Sequence, residues 1–149
     1  MTTNFQRTAD WLAACCKTPS VPTLSLQIGC HIEEMAEFLE CLITDCRSDN
    51  YQLGDIVDEL NMIAGSLKKS ITQARIRDDM RAQALDALCD CEVTGNGVAY
   101  LAGFKKDGAD AAVLACNDAK LVDGKPVILL GGKIGKPEGW QPPDLTPFI

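Results

Sequence analysis

The run Ile32-Glu33-Glu34-Met35-Ala36-Glu37-Phe38-Leu39-Glu40 constrains the chain more than any other stretch. Wound as a helix at about 100° per residue, it puts Glu33, Glu34, Glu37 and Glu40 on one side, with Ile28, Ile32, Met35, Ala36, Leu39, Leu42 and Ile43 on the other. The apolar half needs a neighbour to bury it. Like charges three or four residues apart cost a few tenths of a kcal/mol per pair, and no Lys or Arg is interleaved. The stripe therefore calls for a compensating cation, which a hard divalent ion would supply. Most acidic helix faces are simply solvated, so a metal reading needs a second acidic element. Asp86-Ala87-Leu88-Cys89-Asp90 offers one, with two carboxylates a turn apart inside a run whose Leu85, Leu88, Cys89 and Val93 read as core. Aspartate is a poor choice for a helix interior, because its short side chain competes for the backbone.

Glu33-Glu34-x-x-Glu37 followed by an acidic helix resembles the MazG-like all-α nucleoside triphosphate pyrophosphohydrolases, which carry EExxE on one helix and ExxD on another. The first motif matches in full. In the second, Asp90 takes the final position, the family's Glu aligns with Ala87, and Asp86 looks like its replacement, as in phage-type members. The resemblance spans roughly residues 5 to 120. It implies an all-α bundle of four to five helices, and hydrolysis of a (deoxy)nucleoside triphosphate to the monophosphate and pyrophosphate. Glu34, Glu37, Asp86 and Asp90 would hold Mg²⁺ or Mn²⁺, with Glu33, Glu34 and Glu37 as the catalytic carboxylates. Asn117-x-x-Lys120 is similar to the closing segment of phage-type relatives, which makes Asn117 and Lys120 expected substrate contacts. A phosphoribosyl-ATP pyrophosphohydrolase is one alternative, and a non-catalytic helical module that dimerises through its apolar faces is another.

At 149 residues the chain suits one helical domain over 1–121 with an extended arm over 122–149. A formal net charge of −7 argues against nucleic acid as partner, since tracking a phosphate backbone needs surplus Lys and Arg. Eight cysteines with no leader-like opening read as reduced thiols and a cytoplasmic setting. Zinc lacks a CxxC pair, and His31 is the only histidine. No run of eighteen apolar residues exists, so no membrane span is expected. Helices this long do not easily bury two faces within one chain, so a homodimer or homotetramer is expected.

In chain order, helices are expected over Phe5–Cys16, from Ser25 as N-cap to Thr44 or Asp45, Leu53–Leu67, Asp79–Gly103 and Ala109–Leu121. The prolines of Lys17–Pro22 should make a loop, and 45–50 a polar link. Trp11 either finishes the core or stacks on a base. Asp55, Asp58 and Glu59 read as solvated acids. Gly95-Asn96-Gly97 suggests a bend or close helix packing. Asp123-Gly124 and Gly131-Gly132-Lys133 are turn signals around a β-like run. The arm could close over a substrate, with Lys133 and Lys136 near phosphate and Trp140 near the base, or wrap the domain.

Overall fold

A computed structural model describes residues 2–15, 17–129 and 134–149. The chain is mostly helical, with five α-helices and one two-stranded sheet among the described residues. It divides into two compact units, residues 19–75 and residues 1–18 with 76–149.

The first unit is a helical hairpin of α2 (Val21–Glu40) and α3 (Arg47–Lys68). α2 starts four residues before the expected Ser25, because Ser20 and Thr23 form a capping box and Pro22 sits in the first turn, where no amide hydrogen is needed. Ser25 is instead buried, and its hydroxyl accepts from the Ala74 amide at 2.9 Å. α3 also starts early, taking in much of the expected link. Asn50 folds back to accept from Thr44 N at 2.8 Å and donate to Thr44 O at 3.0 Å, closing the turn between the helices.

Small residues set the α2–α3 contact. Ser25, Gly29 and Ala36 are buried on α2, and Val57, Ala64 and Leu67 on α3. A Cβ on Gly29 would lie 3.0 Å from Leu67 Cβ and 3.1 Å from the Ala64 carbonyl, so glycine is what lets the backbones approach. The expected inward set is corrected accordingly. Met35, Leu42 and Ile43 are exposed, as are Ile56 and Ile63 on α3. The close-packed stripe through Gly29 is turned roughly 60° from the large apolar face toward Glu33.

The second unit is organised on α5 (Lys106–Asp118). α1 (Asn4–Ala14), capped by the Thr3 hydroxyl, is tied to it by an Arg7–Asp118 pair at 2.9 Å. After α5, Asp123 and Gly124 (φ 51° and 73°) turn β1 (Leu121–Val122) back onto β2 (Lys125–Pro126). The expected second turn at Gly131–Lys133 lies outside the described residues. The chain end runs along α5 as a strap. Cys116 Sγ meets the Gln141 carbonyl at one end, and Lys105 N donates to Phe148 O at 2.8 Å at the other. A Cβ on Gly108 would run into the Phe148 ring.

α4 (Arg81–Leu101) ends where expected, at Gly103 with φ 80°. Its glycines do not interrupt it, and a Cβ at Gly95 or Gly97 would meet nothing within 4 Å, so the expected close packing is not made among the described residues. Leu85, Leu88, Cys89 and Val93, expected in the core, are exposed, and Ala99 is the one residue of α4 that is buried. No helix among the described residues is long and apolar enough to cross a membrane.

Candidate functional site

The glutamate stripe is real as a helix face. Glu33 is half-buried, and Glu34, Glu37 and Glu40 are exposed. The compensating cation for Glu33 comes from the neighbouring helix, where Lys68 forms an ion pair with it. Glu40 faces Asn61 Nδ2 at 3.5 Å.

A groove of about 640 Å³ opens at the turn end of the α2–α3 hairpin, lined by Leu39, Leu42, Ile43, Tyr51 and Leu53 with the carboxylates Glu40, Asp55 and Asp58. Asp55 and Asp58 were expected to be solvated acids. They are exposed, yet they line this groove together with a glutamate of α2. The overlooked signal is their spacing. Residues 55 and 58 lie one turn apart on the helix that follows the glutamates directly, and a short connection makes consecutive helices antiparallel neighbours.

Asp86 and Asp90 are also a turn apart and exposed, on α4 of the other unit. Carboxylate oxygens suit a hard divalent cation. Among the described residues, however, no group of three or more His, Cys, Asp or Glu side chains lies close enough to hold a metal ion. Cys46, which precedes α3, has its thiol held below the usual range by the Ser48 hydroxyl at 3.0 Å and by the Asp49 amide.

Three of the four expected substrate contacts lie together at the C-terminal end of α5. The Trp11 indole donates to the Asn117 carbonyl at 2.8 Å, and Lys120 Nζ donates to Asn117 Oδ1 at 2.9 Å. The strap adds Trp140, whose indole donates to Cys116 O at 3.0 Å. Both indoles thus satisfy carbonyls of the last helical turn, which have no partner inside the helix. Lys120 Nζ lies 6.0 Å from the Trp11 ring centre and 5.5 Å from that of Trp140, and Lys136 Nζ lies 4.5 Å from the latter. Ammonium groups over indole faces gain from the ring quadrupole. The cluster joins α1, α5 and the strap, so of the two roles expected for the arm, wrapping is the one seen. Lys133, the fourth expected contact, lies outside the described residues.

No protein-family model matches the chain, and no curated protein or solved structure matches it.

Proposed function

We propose that this chain hydrolyses a (deoxy)nucleoside triphosphate to the monophosphate and pyrophosphate, with Mg²⁺ or Mn²⁺ as cofactor, as a homodimer or homotetramer. The observation that carries the reading is the α2–α3 hairpin. An apolar wall containing Tyr51 and Leu42 meets a carboxylate rim of Glu40, Asp55 and Asp58, on the same helix pair as the Glu33-Glu34-x-x-Glu37 face. Such a groove suits a planar base beside a cation-bound polyphosphate.

The ion would be held by the carboxylates that the resemblance implies, Glu34 and Glu37 with Asp86 and Asp90. When bound, the ion neutralises phosphate charge and acidifies an attacking water. Lys68 fixes one carboxylate oxygen of Glu33, which leaves the other to orient that water. Lys120 and Asn117 offer polar contacts to a phosphate or sugar.

The test is a panel of dNTPs and NTPs with Mg²⁺ or Mn²⁺, scored for pyrophosphate against phosphate. Pyrophosphate release that is lost in Glu37→Gln supports the reading, and inertness toward every nucleotide sinks it. Asp90→Asn then reports whether the second acidic pair takes part, and Asp58→Asn whether the rim of the groove does. A non-catalytic helical dimerisation module is the second reading, favoured by the exposure of α4. It requires full folding and association with no turnover.

A further inference from the structure

The C-terminal end of α5 gathers more positive charge than the helix end requires. Its last carbonyls already have donors. Ala115 O takes the Ala119 amide, Asn117 O the Lys120 amide and the Trp11 indole, and Cys116 O the Trp140 indole. The helix dipole favours a cation here, and Lys120 supplies it. Lys136, carried in by the strap, is a second one. Asp118, the acid of the same turn, is held by Arg7. Glu138 is exposed, and no ion pair among the described residues includes Lys120 or Lys136. Lys120 gives one of its N–H donors to Asn117 Oδ1, and Lys136 gives none to any described residue.

We propose that Lys120 and Lys136 form a binding site for a diphosphate group, and that the strap completes it by wrapping. Both ammonium groups lie against the Trp140 ring, at 5.5 Å and 4.5 Å from its centre. Sharing one ring keeps the two charges within about 10 Å, the Debye length near 0.1 M salt, so their repulsion is only partly screened. The ring is fixed by its bond to Cys116 O, and Lys120 is set further by Asn117 and by the Trp11 face at 6.0 Å. The lysines are thus positioned, while most of their donors remain open. In a chain of 21 acids and 14 Lys and Arg, two neighbouring ammonium groups without a carboxylate are a place for an outside anion. A single carboxylate neutralises only one of them. A diphosphate carries charged oxygens at both ends and can reach both at charge-assisted distances of about 2.7–2.9 Å. Free pyrophosphate and the diphosphate of a nucleotide share this chemistry.

The site extends the phosphate contact given above to Asn117 and Lys120, and rests on that reading. Binding without metal and turnover with metal are measured apart, so each can fail alone. The experiment is isothermal titration calorimetry of the full chain with inorganic pyrophosphate, in EDTA so that no metal links the anion to an acidic face. Saturable binding is expected, with orthophosphate and sulfate at least tenfold weaker at matched ionic strength. Lys136→Gln, in a strap still tied by Trp140 and Phe148, is expected to weaken binding at least tenfold. Lys136→Arg should recover most of it, and Lys125→Gln, on β2, should change nothing. Pyrophosphate should also slow acetylation of Lys120 and Lys136, read by mass spectrometry, and spare Lys125 that effect. Absence of both saturable heat and protection overturns the proposal, as does a Lys136→Gln chain that binds as tightly as wild type. Tighter binding of a nucleoside diphosphate than of pyrophosphate assigns the site to a nucleotide, and equal or weaker binding assigns it to the free anion.

Discussion

The α2–α3 hairpin and α4 use the same vocabulary of leucines, small residues and acids, with opposite results. In the hairpin a glycine stands where a neighbouring backbone presses against it, whereas in α4 two glycines face open space. What separates them is the distance along the chain to a partner. α2 meets α3 across a connection of six residues, so a narrow stripe of small side chains is enough to seat one helix on the other. α4 covers only Ala99 by comparison, and its large apolar side chains remain in water. Helical periodicity thus identifies a helix with something to bury, but not where the covering surface comes from.

The strongest way to break the contrast is Gly29→Val. The added methyls would enter space held by Leu67 and Ala64, and overpacking of this kind costs about 1–3 kcal/mol. Denaturant melts should show that loss, and an unchanged midpoint would mean the hairpin is looser than described. Next comes Trp140→Ala, which removes the strap's indole from the Cys116 carbonyl and from between two lysines. A cost of about 1–2 kcal/mol is expected for a half-buried ring with one hydrogen bond, together with faster proteolysis near the chain end. Gly97→Ala inverts the sign. With nothing near its Cβ, it should stabilise the chain by up to about 1 kcal/mol, so a loss would place a neighbour against that face.

The smallest effect concerns pH. The Thr146 hydroxyl and amide hold Asp144 below the usual carboxylate range, the amide donating to Oδ1 at 3.0 Å. A lowered folded-state value means the contact contributes above the unfolded carboxylate's titration and is lost as pH falls through the lowered one. Asp144→Asn should therefore flatten a slight acid-side loosening of the final turn at Thr146–Phe148, visible in amide exchange.

Much of this was legible in the residues, for local reasons. The helices follow from apolar spacing, and Gly103 and Asp123-Gly124 from the left-handed backbone they adopt. Asn117 and Lys120 were expected together from the Asn117-x-x-Lys120 resemblance, and Trp11 separately, as an aromatic that either finishes the core or stacks on a base. The start of α2 was misread because two prolines look like a loop until Ser20 and Thr23 are recognised as a box that tolerates proline in the first turn. The pairing of Lys68 with Glu33 is not legible in the sequence, because it depends on the rotation of one helix against the other. Asp55 and Asp58 were passed over for the same reason. An exposed acid that lines a groove has the same one-dimensional signature as an exposed acid that lines nothing.

The two tryptophans have a practical consequence. Both lie against the last turn of α5, while the α2–α3 hairpin contains only Tyr51 as a phenol chromophore. Indole emission therefore monitors one half of the polypeptide and is blind to the other, whereas far-ultraviolet ellipticity sums both. A gap between the two melting curves would measure how independently the halves come apart.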